Sequence, residues 1–288
     1  MLGVFEIHEP ETAQDASTLL AKHGWEATVY AGGTELLVLM KEGLVHYPHL
    51  VNIKTVPGLD GITVDTANNS LEIGSLATHR QLETSETVKE RLPLLAEVEA
   101  TVANVRVRSA GTIGGNLCFA EPHSDPATFL MAWGATLELT RGDGSRQVAI
   151  EDFFVDLFET AREEDEILTG IKLPLLADTT GGYEKFTTHE RPTACVATVL
   201  QMKDGAIDDA RLSVGSVGPV PIRVPEAEGT LRGEQPSDAL FEAAAEHAHD
   251  AADAVGDIYG SANYKRHLVR VLTARALNKA VAQAGRKG

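Results

Sequence analysis

The sequence predicts an α+β protein of two domains, on the basis of three patterns. A strand, a glycine turn and a helix follow one another near residue 31, two hairpins have Asn or Asp turns, and three strands and two helices lie toward the C-terminus. The 288 residues suit one large and one small domain. We place the boundary near residue 178, in LPLLADTTGG, where proline, threonine and glycine are frequent.

The first elements surround a pair of glycines. Thr12–Lys22 has apolar residues at helical spacing and begins with a threonine that suits an N-cap. The short strand ATVY follows, and Ala31–Thr34 then forms a turn. Thr34 is expected to cap a second helix over Glu35–Glu42, which ends at Gly43.

The remaining elements of the first domain alternate between strands and helices. They are a buried strand (49–53), a hairpin turning at Asn68-Asn69 (61–75), a helical stretch split at Pro93 (78–102) and a glycine-rich loop (106–127). A helix that begins at Asp125-Pro126 (125–133), a hairpin turning at Asp143-Gly144 (135–154) and a last strand (166–173) follow. The second domain has predicted strands at 183–188, 195–203 and 210–217, with the last two joined through a turn at Asp204-Gly205. Helices are predicted to follow at 237–255 and 261–285.

Composition and charge exclude several function classes. Apolar residues make up 43% and charged residues 23% of the chain, as in ordinary folded proteins. The net charge of -17 disfavours nucleic acid and anionic membrane surfaces as partners. No apolar run approaches membrane-spanning length and the N-terminus lacks a secretory pattern, so we expect a soluble cytoplasmic protein. Two cysteines, Cys118 and Cys195, are too few for an all-cysteine iron–sulfur cluster.

Two glycine segments and one aspartate are candidates for ligand binding. In Ala31–Thr34 the glycines let backbone amides approach a pyrophosphate, although a plain turn explains the same residues. In Ser109–Asn116 the glycines are expected to adopt positive φ and to wrap phosphates or a ribityl chain, with Thr112 and Asn116 as donors. A tight loop is the alternative there. Asp125 suits the hydroxyls of a bound nucleotide, and otherwise a helix N-cap.

The usual catalytic signatures are absent from the sequence. It has no GxGxxG after a strand, no GxxxxGK[ST], no HExxH and no GxSxG. His123, Ser124 and Asp125 are consecutive, and adjacent residues rarely converge into a catalytic triad.

A resemblance to a known family rests on four segments of the chain. They are AGGTELLVLMK (residues 31–41), TIGGN (112–116) with Asp125 nine residues later, YEKF (183–186) and the C-terminal GSANYKRHLVRVLTARAL (260–277). The chain resembles the FAD-binding medium subunits of the molybdenum hydroxylases, the family of xanthine dehydrogenase and aerobic carbon monoxide dehydrogenase. The resemblance implies an FAD-binding domain of the vanillyl alcohol oxidase (PCMH) type over 1–178, with subdomains of about 1–56 and 57–178. A C-terminal domain of the molybdenum hydroxylase flavoprotein type follows over 179–288.

The resemblance also implies a set of FAD-binding residues, and neither a catalytic residue nor a metal ligand in this chain. The pyrophosphate and ribityl region would contact Ala31, Gly32, Gly33, Thr34, Glu35, Ala110, Gly111, Thr112, Ile113, Gly114, Gly115 and Asn116. Asp125 would bind the nucleotide side, Ile167 would pack on the flavin, and Lys185 would lie near the isoalloxazine. An ammonium there would stabilise the charge of reduced flavin and raise its reduction potential.

The implied function is electron transfer within a complex. A large subunit would carry the molybdenum cofactor and a small subunit the [2Fe-2S] clusters, in a dimer of heterotrimers (a heterohexamer). FAD would pass electrons to an external acceptor. Glu35 stands where many relatives have an aspartate, and this turn differs from that of carbon monoxide dehydrogenase. Two cysteines are too few for the branch of the family that holds an additional iron–sulfur cluster on this subunit. The alternatives are a stand-alone flavin-dependent oxidoreductase and a binding or assembly protein that has lost the redox role.

Overall fold

The computed structural model describes residues 3–287, with side chains described through residue 283. The strands are β1 Glu6–His8, β2 Ala27–Tyr30, β3 His49–Asn52, β4 Ile62–Asp65, β5 Ser70–Gly74, β6 Thr136–Arg141, β7 Gly144–Ala149, β8 Phe154–Asp156, β9 Glu159–Thr160, β10 Ile167–Pro174, β11 Thr179–Thr187, β12 Pro192–Lys203, β13 Ala206–Gly215 and β14 Ile222–Arg223. The helices are α1 Ala13–His23, α2 Leu36–Glu42, α3 His79–Thr84, α4 Glu86–Arg91, α5 Pro93–Ala100, α6 Val105–Ala110, α7 Ile113–Phe119, α8 Asp125–Trp133, α9 Pro225–Leu231, α10 Asp238–Ala251 and α11 Ala262–Lys287. The α+β class is confirmed.

The N-terminal region is a parallel sheet of order β1-β3-β2 with α1 packed on it. Thr12 caps α1, as predicted, by accepting a hydrogen bond from the Asp15 amide. The prediction that Thr34 caps the second helix is wrong, because α2 begins at Leu36 after an N-cap residue, Glu35, that makes no capping bond. β1 was not predicted, since three residues are too few to show an alternating pattern.

An antiparallel sheet of order β4-β5-β10-β6-β7 forms the centre of the first domain. Both predicted hairpins are present, as β4–β5 and β6–β7. The helical stretch around Pro93 is broken at two places, which gives α3, α4 and α5. The first break lies at Ser85, which caps α4, and the second lies at Pro93, which begins α5. The glycine-rich segment is not a loop. It forms α6 and α7, capped by Asn104 and Thr112, and neither is long enough for helical periodicity to be visible in the sequence.

The C-terminal sheet has four strands in the order β11-β12-β13-β14, where the sequence predicted three. The added strand, β14, is two residues long and lies between prolines, so no sequence pattern marks it. The β12–β13 hairpin turns at Asp204-Gly205 as predicted, with both residues at positive φ. α10 and α11 pack together, and α11 covers β11 and β12.

Among the described residues, three hydrophobic clusters stabilise the fold. One lies in the N-terminal region, one beneath α10 and α11, and the largest around α8. The largest cluster combines first-domain residues with Tyr183, Cys195, Ala197 and Val199 of β11 and β12. The boundary near residue 178 stays a prediction, and the change of sheet between β10 and β11 supports it. Within residues 3–287, no helix combines the length and hydropathy needed to cross a bilayer.

Candidate cofactor site

A cavity of about 700 Å³ lies where the two glycine segments meet. Its wall includes residues 31–36, most of α7, the start of α8, the segment before β10 and the loop between β11 and β12. These segments come from distant parts of the chain, and the volume lies within the range of cofactor sites. The cavity is therefore the candidate site.

The first glycine segment lies directly against the second. A Cβ at Gly32 would lie 2.1 Å from Ala110 O, so only glycine permits this approach. Gly33 has φ +71, the left-handed region that favours glycine. Within the described part of the chain, the amides of residues 32–36 have no hydrogen-bond acceptor. This run of unbonded donors lines the cavity and suits an anionic group.

The second glycine segment differs from the expectation. Its amides at the start of α7 are already bonded within the protein: Ile113 N donates to Ala77 O (3.0 Å), Gly114 N to Ser75 O (2.9 Å) and Gly115 N to Thr112 Oγ1 (3.1 Å). These donors are not free to wrap a phosphate.

The expected positive φ in this segment is also wrong. Gly111, Gly114 and Gly115 all lie outside the positive-φ region, because they belong to α7 or to the turn before it. A Cβ at Gly114 would lie 2.6 Å from Ser75 O. This glycine is required because α7 packs closely on the segment after β5.

Asp125 is buried at the start of α8, where Ser124 is the N-cap residue. The N-cap alternative for Asp125 is therefore wrong. Its carboxylate accepts a short hydrogen bond from the Tyr183 hydroxyl and a 2.9 Å hydrogen bond from Lys185 Nζ. Burial raises the pKa of Asp125, and the Lys185 ammonium opposes that rise. Burial and the neighbouring Asp125 hold the pKa of Tyr183 well above its ordinary value.

The structure places most of the predicted site residues on the cavity wall. Those on the wall are Ala31, Gly32, Gly33, Thr34, Glu35, Gly111, Thr112, Gly114, Gly115, Asn116 and Asp125. Those outside it are Ala110, Ile113, Ile167 and Lys185. Asn116 Oδ1 accepts a 2.5 Å hydrogen bond from the Ser124 hydroxyl.

The four residues outside the wall lie behind it. Ala110 contacts Gly32 through its carbonyl, and Ile113 is in the main core. Ile167 packs in the N-terminal cluster, because its side chain points to the opposite face of β10 from its neighbour Leu168, which lines the cavity. The Lys185 ammonium contacts Asp125 and donates to Thr101 O at 2.8 Å.

Arg162, Arg191 and His79 lie on the cavity wall and were not predicted as site residues. Arg191 forms ion pairs with Glu35 (3.1 Å) and Glu121 (2.8 Å). Arg162 donates through Nη1 to Glu166 O at 2.8 Å, while its Nε is buried without a partner among the described residues. Nothing in the sequence marks these arginines, because both lie in irregular segments between strands.

The histidine, His79, pairs with a fully buried carboxylate. Its Nδ1 lies 2.6 Å from Glu99 Oε2, and the exposed fraction of the Glu99 side chain is 0%. Glu99 Oε1 has no hydrogen-bond partner among the described residues. The pair links α3, whose His79 lies on the cavity wall, to Glu99 of α5.

The segment before β10 is fixed by a second buried carboxylate. Glu166 accepts hydrogen bonds from Arg146 Nε (2.6 Å) and Nη2 (2.8 Å) and from the Glu163 amide (2.8 Å). The hydrogen bonds from Arg146 lower the pKa of Glu166. This arrangement holds the cavity wall next to Arg162.

Two family models cover most of the chain. Residues 3–176 match the FAD binding domain in molybdopterin dehydrogenase, and residues 187–280 match the CO dehydrogenase flavoprotein C-terminal domain. The relatives are named for several different activities. The carbon monoxide dehydrogenase medium chain of Hydrogenophaga pseudoflava is 32% identical over 97% of this chain and 98% of its own length.

Other relatives are nearly as similar. The nicotine 6-hydroxylase medium subunit of Paenarthrobacter nicotinovorans is 31% identical over 95% of this chain and 96% of its own length. The xanthine dehydrogenase FAD-binding subunit of Escherichia coli O157:H7 is 30% identical over 100% of this chain and 99% of its own length.

The fold matches solved structures over almost its full length. A chain of carbon monoxide dehydrogenase from Hydrogenophaga pseudoflava superposes with a TM-score of 0.95 at 32% identity, covering 98% of this chain and 99% of that chain. A chain of quinoline 2-oxidoreductase from Pseudomonas putida 86 gives a TM-score of 0.93 at 28% identity, covering 99% of both. The chain therefore belongs to the family of FAD-binding subunits of molybdopterin-dependent dehydrogenases.

Proposed function

We propose that this chain is the FAD-carrying medium subunit of a molybdenum hydroxylase complex. It would take electrons from [2Fe-2S] clusters on a small partner subunit, while a large partner subunit holds the molybdenum cofactor and oxidises the organic substrate. FAD, when bound, supplies one-electron exchange with the clusters and two-electron transfer to the external acceptor. Two copies of each subunit and a cytoplasmic location complete the proposal.

One observation is central to this proposal. The two glycine segments contact each other through backbone atoms at Gly32 and Ala110, and both line one cavity. This arrangement provides a large cavity with a run of unbonded amides on its wall. It supports a cofactor role for the site more strongly than either segment does alone.

The charges on the cavity wall fit a dinucleotide cofactor. The unbonded amides of residues 32–36 would donate hydrogen bonds to the pyrophosphate oxygens. The orphaned Nε of Arg162 offers a cationic donor on the same wall, where an anionic group would give it a partner. These local groups let a chain of net charge -17 hold an anion.

Asp125, Tyr183 and Lys185 would act together at another part of the cavity. Asp125 reaches the wall, but its two oxygens are held by Tyr183 and Lys185. The Lys185 ammonium would therefore influence the flavin through Asp125, as a positioning residue. The cation next to this carboxylate offsets the cost of its burial.

Sequence identity favours no single organic substrate for the complex. Relatives named for carbon monoxide, nicotine and xanthine are between 30% and 32% identical to this chain, so identity does not choose among them. In the proposed complex, the substrate pocket belongs to the large partner subunit.

Purification of the chain from its native cells tests the proposal. We expect released FAD, broad iron–sulfur absorbance and two co-purifying chains, one larger and one smaller than this 30.8 kDa chain. Flavin with no partner and substrate turnover by the lone chain would instead establish a stand-alone flavoenzyme. Protein that takes up no FAD when FAD is in excess would contradict both functions.

A further inference from the structure

Three histidines from separate elements meet at one end of the parallel sheet, and none of them lines the cofactor cavity. His8 ends β1, His23 ends α1 and His49 begins β3. One ring nitrogen from each lies within 4.8 Å of the other two. His8 Nε2 lies 3.0 Å from His49 Nδ1.

The strand pairing explains why these side chains converge. Glu6 pairs with His49 in the parallel β1–β3 ladder, so the two side chains point to the same face of the sheet. His8 is two residues after Glu6 and points to that face as well. α1 packs on this sheet, and His23, the last residue of α1, joins the other two histidines.

The cluster has an inner layer of imidazoles and a carboxylate at its rim. The His8 and His49 side chains are 15% and 21% exposed, whereas the Glu6 side chain is 66% exposed. Glu6 Oε2 lies 3.9 Å from His8 Nε2 and 3.6 Å from His49 Nδ1. The four side chains therefore offer three nitrogen ligands and one oxygen ligand within a small volume.

One atom of this cluster lacks a partner. His23 Nε2 is buried and has no hydrogen-bond partner among the described residues. The His23 and His49 rings are tilted at 38° with their centroids 3.9 Å apart, and the hydrogen bond between His8 and His49 does not involve His23. Buried polar atoms in folded proteins are nearly always bonded, so this nitrogen points to a ligand.

We propose that His8, His23 and His49 bind one Zn²⁺, with Glu6 as the fourth ligand. Imidazole nitrogens with one carboxylate suit tetrahedral zinc, in which two ligand nitrogens lie about 3.3 Å apart. The three ligand nitrogens lie within 4.8 Å of one another, and those of His8 and His49 are 3.0 Å apart, close to this value. The ion would join β1, α1 and β3, so its role is structural.

Zinc titration of the untagged full-length chain tests the proposal. After chelator treatment and desalting, we expect one equivalent of zinc to bind, by calorimetry and by elemental analysis. Zinc at a hundred times its dissociation constant should lower the unfolding equilibrium constant by about a hundredfold, measured by chemical denaturation. Absence of saturable binding by the folded wild-type chain would overturn the proposal, whatever the variants do.

Single substitutions identify the ligands. His23→Gln and His49→Gln should each weaken zinc binding by at least about a hundredfold. His247→Gln removes an exposed imidazole in α10 and should leave binding unchanged. Glu6→Gln, at an exposed position, should fold normally and bind zinc more weakly, which keeps a test available if a histidine variant fails to fold. Equal zinc binding by His23→Gln, His247→Gln and the wild-type chain would assign the zinc to other residues.

Discussion

Gly32 joins the two glycine segments through backbone contact alone. An added Cβ would lie 2.1 Å from Ala110 O and 2.9 Å from Gly111 Cα, and neither atom belongs to a flexible side chain. The backbone of one segment would have to shift to make room. Because the amides of the first segment line the cavity, such a shift would move the proposed pyrophosphate donors.

Gly32→Ala is therefore expected to lower both flavin content and stability. We expect overpacking to cost about 1–3 kcal/mol of unfolding free energy. The ratio of flavin to protein after purification and a denaturation curve measure the two effects.

Gly229→Ala is the matched control for that substitution. Gly229 lies in α9 with no atom within 4 Å of the added Cβ, so alanine there should stabilise the helix by about 0.5–1 kcal/mol and leave flavin unchanged. Full flavin occupancy in Gly32→Ala would show that the cofactor does not depend on this contact.

Lys185→Ala should retain flavin, lower its reduction potential and destabilise the protein. The substitution leaves the Asp125 carboxylate buried without its cation, which we expect to cost about 3 kcal/mol. Spectroelectrochemical titration measures the potential, and urea unfolding measures the stability. Lys203→Ala removes an exposed lysine and should change neither quantity. An unchanged flavin potential in Lys185→Ala would leave Lys185 with a structural role only.

At the scale of elements, short helices and one carboxylate fix the cavity wall. α7 is held by amide hydrogen bonds to Ser75 and Ala77, residues that follow β5. The segment before β10 is held by Glu166, which bonds Arg146 of β7 and the Glu163 amide. Both sets of hydrogen bonds join segments that are distant in sequence, so the cavity wall depends on the antiparallel sheet behind it.

The Glu166 interaction predicts a dependence of stability on pH. Because Arg146 lowers the pKa of Glu166 in the folded state, the stabilisation is present above the unfolded pKa of about 4.3 and is lost as pH falls through the folded pKa. At pH 7, Glu166→Gln should cost about 2 kcal/mol of unfolding free energy. The difference from wild type should shrink below about pH 4.

Urea unfolding of both proteins across this pH range measures the effect. Glu164→Gln, which removes an exposed carboxylate from the same segment, is the control and should follow the wild-type curve. If the difference in unfolding free energy between the wild type and Glu166→Gln stays constant from pH 3 to pH 7, the ionised Glu166–Arg146 pair is not its source.

At the scale of the whole molecule, the two predicted domains share a core. α8 of the first domain packs against β12 and β13 of the second, and the largest hydrophobic cluster includes residues of both. The buried Asp125–Lys185 ion pair crosses the same contact. Separation of the domains would expose this apolar surface and an uncompensated charge.

The shared core predicts that the chain unfolds as one cooperative unit. Differential scanning calorimetry of the full-length chain should show a single transition whose calorimetric and van't Hoff enthalpies agree. A fragment of residues 1–178 should bind the apolar dye ANS and unfold with reduced cooperativity. Two resolved calorimetric transitions in the full-length chain would mean that the domains are energetically independent.

Local sequence patterns were sufficient to predict the α+β class, both N-terminal-domain hairpins, the Asp204-Gly205 turn and the family. These features depend on residues close together in the chain: alternating apolar residues, turn dipeptides and the motifs AGGT and TIGGN. Short elements such as β1 and β14 were missed, because two or three residues are too few to show a period.

The availability of the motif atoms for binding depends on tertiary contacts. The two glycine segments look alike in sequence. The amides of residues 32–36 nevertheless have no acceptor in the part of the chain that the structure describes, while the α7 amides are bonded to Ser75, Ala77 and Thr112. The pairing of Lys185 with Asp125 and the meeting of His8, His23 and His49 are likewise contacts between distant residues. Local sequence patterns set the conformation of each segment. The partner of each polar atom depends on which distant segments the packed core brings next to it.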